Sequence, residues 1–258
     1  MQTYINYYGA YALYRKEVLR FLKVYNQTII APSISALTFF AVFILAMGNT
    51  KSNISGVSFR DFIAYGLIIM SIVQNAFANT SSSLIMSKVL GYISDILIPP
   101  LSSNDIIFAY IAASITRGLM VGVTVTAVLF PFINISVYSF PILFLSIFLA
   151  CLLLGILGMI SGVISNSFDQ NAAINSYLVT PMSFLSGTFY SIHNLPPTLK
   201  AISEYNPFFY MIDLFRYSLT GYSDSHDLNF GIVLLIVSII VSFTVVKIIF
   251  YTGWRIKT

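Results

Sequence analysis

Charge is scarce in this chain. Thirteen Lys and Arg and nine Asp and Glu make up 9% of its 258 residues, whereas a soluble domain carries about 25%. A soluble protein so poor in charge would expose a sticky surface, so an ordinary cytoplasmic enzyme is excluded, and the apolar excess excludes a disordered chain. Cysteine occurs once, at Cys151. No internal disulfide is possible, which excludes a secreted disulfide scaffold, and its place in an apolar run marks it as a small packing residue. Histidine occurs twice, at His193 and His226. Neither has partners at zinc-ligand spacing, although His226 lies between Asp224 and Asp227, so both read as loop residues. No glycine is followed by lysine, so the Walker A phosphate loop is absent, as are H-E-x-x-H and G-x-S-x-G. The formal charge of +4 is spread out, without the clustered Lys and Arg that nucleic acid requires.

What is present is apolar. Hydrophobic residues make up 57% and aromatics 16%, and mean hydropathy is +0.86. A transmembrane helix needs about 20 apolar residues. The runs predict an all-α integral membrane protein with six transmembrane helices, near 28–47, 62–79, 106–130, 141–164, 172–190 and 231–251. They form a single membrane domain over 1–258. The N-terminus is basic and then apolar, but the apolar run is too long for a signal peptide and no A-x-A site follows, so it is expected to stay as the first span.

Residues 4–23 are too charged to span, holding Arg15, Lys16, Glu17, Arg20 and Lys23. Tyr7, Tyr11, Tyr14, Val18 and Phe21 recur at helical spacing. This predicts an amphipathic interfacial helix with its rings in lipid and its cations toward headgroups. It serves either as a solvated entry helix that sets topology or as a lever on a cytoplasmic partner. Between the first two spans lies a polar loop with Gly48, Asn49, Lys51, Asn53 and Gly56. Ser58 and Asp61 have capping-box spacing, and Ser102 to Asp105 read as a second helix cap. Residues 80–104 are expected as a polar cytoplasmic loop and 191–229 as the longest non-spanning stretch. With both termini inside, Arg15, Lys16, Arg20, Lys23, Lys88, Lys247, Arg255 and Lys257 are cytoplasmic, against Lys51, Arg60, Lys200 and Arg216 outside. The positive-inside rule favours that orientation.

Arg117 falls near the middle of the third span, where a charge is costly. It must face a wet cavity, carbonyls or an acid, unless the helix is long and tilted and the side chain snorkels. The pairs Gly118/Gly122 and Gly158/Gly162 permit close helix packing, more within one subunit than at a dimer seam. No internal repeat of the secondary-transporter kind is visible. Pro181 lies well inside the fifth span and should kink it. Beyond it, Pro196, Pro197 and Pro207 suit the first turns of short helices, capped by Asn194 and Asn206. Residues 207–220 are too apolar for a solvated loop and too short to span with Asp213 and Arg216 aboard. The expectation is short re-entrant helices between the fifth and sixth spans.

The run Pro181, Phe184 to Tyr190 with Gly187, Leu195-Pro196-Pro197, Tyr205-Asn206-Pro207, Tyr210 and Arg216 resembles the signature of ABC-2-type transporter permeases. Lys16-Glu17, Arg20-Phe21, the Asn75 to Asn79 run, Arg117-Gly118 and Phe168-Asp169 are similar to the bacterial YadH-type branch. The resemblance implies the membrane subunit of an ABC exporter in the bacterial inner membrane, working as a dimer, with a homodimer expected. It implies no cofactor on this chain, with ATP and Mg on a separate soluble ATPase. It implies coupling through the loop from Lys88 to Pro100, with Asp95 on a family position, together with Glu17, Arg20 and Asp169. Gly91 and Ser94 depart from the family's usual basic and acidic residues there. It implies that Pro181, Gly187, Tyr190, Pro196, Pro197, Asn206, Pro207 and Arg216 belong to the pathway or its gate.

The expected mechanism is alternating access that moves a hydrophobic or amphiphilic cargo, such as a drug, lipid or glycan-lipid, outward. The alternatives are a lipid-modifying membrane enzyme, for which Asp95/Asp105 and Asp224/Asp227 are the only acidic pairs, and a channel or secondary carrier.

Overall fold

The computed structural model describes residues 6–47, 53–54, 56–225 and 227–255. The start of the 4–23 segment, the loop residues Gly48, Asn49 and Lys51, and His226 and Lys257 lie outside the described residues. The chain opens with α1 (Tyr7–Lys23) and enters α2 (Ala31–Met47) through a π-helical turn, Asn26–Ile30. The two-residue strands β1 (Asn53–Ile54) and β2 (Val57–Ser58) pair antiparallel. Then follow α3 (Phe59–Val89), α4 (Ile93–Leu97), α5 (Ser103–Leu129) with a 3-10 turn at Phe130–Phe132, and α6 (Phe140–Ile164). A broken rod comes next: α7 (Phe168–Ile174), a π turn at Asn175–Val179 and α8 (Thr180–Leu185). After a 3-10 turn at Ile192–Asn194 come α9 (Pro197–Glu204), α10 (Pro207–Thr220) and α11 (Leu228–Thr252).

Among the described residues, five helical stretches are long and apolar enough to cross a membrane: Asn26–Ala46, Phe59–Val89, Ser103–Phe132, Phe140–Ile164 and Leu228–Thr252. The expected fifth span, 172–190, is not among them. The helix there ends at Leu185, and its first half carries Asp169, Gln170, Asn171 and Asn175. It nevertheless carries the chain from one end of the bundle to the other. Asn171 accepts a bond from Ser161 near the end of α6, while Thr188 lies against Gly66 near the start of α3.

Two boundary expectations are corrected. Residues 80–89 are not loop but the last turns of α3. Their hydroxyls are spent on helix carbonyls: Thr80 donates to Gly155 of α6 at 2.8 Å and Ser87 to Ser83 at 2.9 Å. A polar stretch can therefore be buried without leaving the helix, and the loop shrinks to the residues around α4. The box expected at Ser58 does not form, because its side chain makes no cap bond and Asp61 instead accepts from the backbone of Asn134 at 3.1 Å. The box at Ser102 and Asp105 does form.

α3 is the central helix, packed on α6 and α5. Gly158 and Gly162 bring α6 onto the α3 backbone at Phe77 and Ser81, while Gly118 and Gly122 admit Ile72 and Cys151. Both glycine pairs thus work inside one subunit. α2 and α11 form the edges: only 22% and 17% of their apolar windows are buried, against 78% for α3. Their exposed Ile34, Val42, Leu45, Val237 and Val241 demand hydrocarbon or another chain.

Candidate functional site

The expected site residues divide into three layers along the bundle. At the end that holds Asn6 and Arg255, α1 lies across α5. Its Tyr7 and Tyr11 are exposed as expected, but Phe21 is fully buried, as is the Glu17 carboxylate. Arg20 turns inward too. It bonds Glu17 at 3.0 Å, the Asn79 carbonyl at 2.8 Å and the Asn79 side chain at 3.1 Å. Glu17 and Arg20 therefore tie α1 to α3 and are not displayed to a soluble partner. Lys88 is also engaged, donating to the carbonyls of Val163 at 2.6 Å and Ser165 at 2.8 Å, while Arg255 donates to Ile164 at 2.8 Å. Two cations thus satisfy the open carbonyls at the end of α6 and complement its dipole. Asp95 on α4, Pro99 and Pro100 beyond it, and Asp169 at the start of α7 are exposed.

In the middle layer Arg117 is buried and donates to Asn75 at 2.9 Å. It stands 14 residues into the 27-residue α5, and Asn75 stands 16 residues into the 31-residue α3. The charge is therefore deep, and snorkelling does not account for it. Asn75 and Asn79, one helical turn apart, each receive an arginine from a different helix. The sequence shows this only as two amides at helical spacing in an apolar run. Beside Asn75 a groove of about 310 Å³ opens between α2 and α3, with Gln27, Ser35, Ser71 and Gln74 among its walls. Polar side chains at this depth imply water or another polypeptide. α8 adjoins α2 through Phe39 and Phe184, whose ring centroids are 6.2 Å apart.

The opposite end is closed by the segment 186–225. Asn206 caps α10 by accepting from Phe208 at 3.0 Å, with Pro207 in the first turn. α9 is entered through Pro196 at its cap position, with Pro197 at its start, so Asn194 does not take that position. α10 forms a short helix over the apolar stretch 207–220, and its Phe209 to Phe215 are buried against the bundle. Arg216 donates to the Gly187 carbonyl at 2.8 Å, pairs with Asp224 at 3.6 Å and lies 3.5 Å from the centre of the Phe62 ring. Asp224 also accepts from Ser191 at 2.7 Å and Tyr222 at 2.6 Å. Asp213 holds the 223–225 turn through Ser223 and the backbone of Asp224. Burial pulls the proton affinity of Arg216 down, and the Asp224 and Asp213 carboxylates oppose that pull. Gly187 adopts φ +78, a conformation that costs other residues strain. Tyr190 donates to the Leu185 carbonyl at 2.7 Å and so braces the end of α8. Of the expected gate residues, Gly187 and Arg216 meet in this buried knot, Tyr190 and Asn206 bond Leu185 and Ser186 at the end of α8, and Pro196 and Pro197 are exposed. Ser191 and Phe62, further members of the knot, carry no signal in the sequence, which marks Asp224 only as one of an acidic pair.

Comparisons with known proteins agree with this architecture. The ABC-2 type transporter family model matches residues 8–220. The inner membrane transport permease YadH of Escherichia coli K12 is 34% identical over 213 residues, 83% of each chain. Nodulation protein J of Neorhizobium galegae is 23% identical over 216 residues, 82% of this chain and 81% of that one. Nodulation protein J of Rhizobium leguminosarum bv. viciae is 25% identical over 181 residues, 68% of each. The helical bundle, its apolar crossings and these matches together establish that the chain belongs to the ABC-2 type transporter family, as a multi-pass inner-membrane transport permease.

Proposed function

We propose that the chain is the permease subunit of an ATP-driven exporter, carrying a hydrophobic or amphiphilic cargo along a path that two copies complete. The observation that carries this reading is the polar groove at mid-depth between α2 and α3, backed by the Arg117–Asn75 pair and open on one side. One subunit offers half a conduit, and a second copy set against α2 and α8 closes it. The mixed lining, Phe39 and Met70 beside Ser35 and Gln74, suits an amphiphile.

ATP and Mg belong to a separate soluble ATPase. That partner meets the end of the bundle holding Asn6 and Arg255, which is placed in the cytosol together with both termini. Exposed Asp95, Pro100 and Asp169 are the contact residues, while Glu17, Arg20 and Lys88 act one step behind them by fixing α1 and α6. Gly187, Tyr190, Arg216 and the prolines hold the outer closure. Asp213 and Asp224 are occupied by structural bonds.

The test is purification of the tagged chain from its native membrane. An ABC ATPase is expected to accompany it, and to be lost in Asp95→Arg while the permease stays inserted. Recovery of the permease without any ATPase, under conditions that preserve membrane complexes, would contradict the reading.

A further inference from the structure

On another face of α3 from the polar groove lies a second opening of different chemistry. The groove is lined from α3 by Leu67, Met70, Ser71, Gln74 and Asn75, the other opening by Tyr65, Ile68 and Ile72. At 3.6 residues per turn these sets centre on faces about 130° apart. The second cavity has a volume of about 530 Å³ and is almost wholly apolar, walled by α5, α6 and the buried Phe215 and Leu219 of α10. It lies beside an apolar hollow of about 410 Å³, with Leu119 and Ile147 in the walls of both.

Along α5 the lining runs from Ile115 through Leu119, Gly122, Val123, Thr126 and Ala127 to Phe130. That is a single helical stripe about 22 Å long at 1.5 Å per residue, against ~15 Å of hydrocarbon in one leaflet. The furrow opens sideways between two crossing helices, and its lips, Val123, Phe130 and Phe144, are exposed. It is therefore continuous with the lipid-facing surface of the bundle.

We infer that this furrow holds one acyl chain of a bilayer phospholipid, seated lengthwise between α5 and α6 against α10. Protein and lipid tails are equally apolar, so the chain is held by shape and dispersion contacts, with no hydrophobic drive. The seat requires the narrow side chains Gly122 and Ala127. It touches α10, whose Arg216 anchors the outer closure, so an occupied furrow supports that closure from behind. The inference rests on the membrane placement of α5 and α6 and is independent of cargo and ATPase.

The test uses the full-length protein in bilayer nanodiscs made with a phosphatidylcholine carrying a photoactivatable diazirine in its acyl chain. Adducts are mapped by mass spectrometry. Labelling is expected to concentrate on 115–130 and 143–148 above the level on the exposed face of α11. In Ala127→Phe, which fills the furrow from an exposed position, labelling there should fall to the α11 level while α11 itself is unchanged. Even labelling of all lipid-facing helices, or undiminished furrow labelling in Ala127→Phe, would overturn the inference. So would displacement of the label by a transported amphiphile and not by unlabelled phospholipid.

Discussion

Arg216 is the residue on which the end of the bundle opposite Asn6 and Arg255 turns. Its guanidinium reaches a carbonyl, a carboxylate and an aromatic face at once, and none of these partners can be replaced by water in so buried a place. Removing one member of a buried ion pair costs about 3–5 kcal/mol, because the other charge is left uncompensated. Arg216→Ala should therefore lower the thermal unfolding midpoint of the detergent-solubilised protein sharply. Arg216→Lys should recover part of the loss, since it keeps the charge but not the fork of donors. Equal midpoints for wild type and Arg216→Ala would remove the knot from the account. At the other end, Arg20→Ala frees α1 from Asn79. The expected result is faster amide hydrogen exchange across 7–23, with the exchange of α3 and α6 unaltered and transport reduced. Unchanged exchange in α1 would mean that its contact with α5 alone holds it.

Two helices share one irregularity. The π turn at Asn26–Ile30 is followed at the second residue by Pro32, and the π turn at Asn175–Val179 is followed at the second residue by Pro181. Proline lacks an amide donor and crowds the carbonyl four residues before it, and a wider turn relieves both faults. The two broken rods stand side by side through Phe39 and Phe184 and flank the polar groove, so the least regular backbone lies beside the proposed path. Pro181→Ala should let α7 and α8 run as one regular helix, raising the thermal midpoint and slowing transport. A faster transporter would show that the break does not assist movement. These breaks also mark the reach of sequence reasoning. The kink at Pro181 is legible because proline has a fixed chemistry, whereas the π turn before Pro32 is not, because hydropathy is blind to backbone pitch. The end of α3 is misread for a related reason: Thr80 and Ser87 look like loop, yet hydroxyls that bond helix carbonyls are tolerated in a buried face. The roles of Asn75 and Asn79 depend on which helices are neighbours, and a single sequence does not encode that visibly.

Across the whole molecule, five of the expected crossings, the short helix α10 and the family were legible because apolar runs, paired prolines and the 181–216 pattern are each tied to a physical need. Where charges point was not. Glu17, Arg20 and Lys88 are polar on paper and inward in space, whereas Arg15 and Lys16 of the same α1 are exposed at that end together with α4 and the start of α7. The proposed pairing of two half-conduits makes a geometric demand: exposed positions on the broken rod must face their counterparts. Tyr177 is 80% exposed, and Tyr177→Cys in a Cys151→Ser background should form a disulfide-linked dimer in native membranes and stop transport until it is reduced. Only monomer under oxidising conditions would argue against this face as the seam.

The central claim is that the chain is a conduit with no engine of its own. Its most direct measurement is movement of a fluorescent amphiphile in proteoliposomes that hold the permease, its co-purifying ATPase, or both. The account predicts ATP-dependent movement only when both are present, and no ATP hydrolysis by the permease alone. Movement driven by the permease without the ATPase, or hydrolysis by the isolated chain, would contradict it.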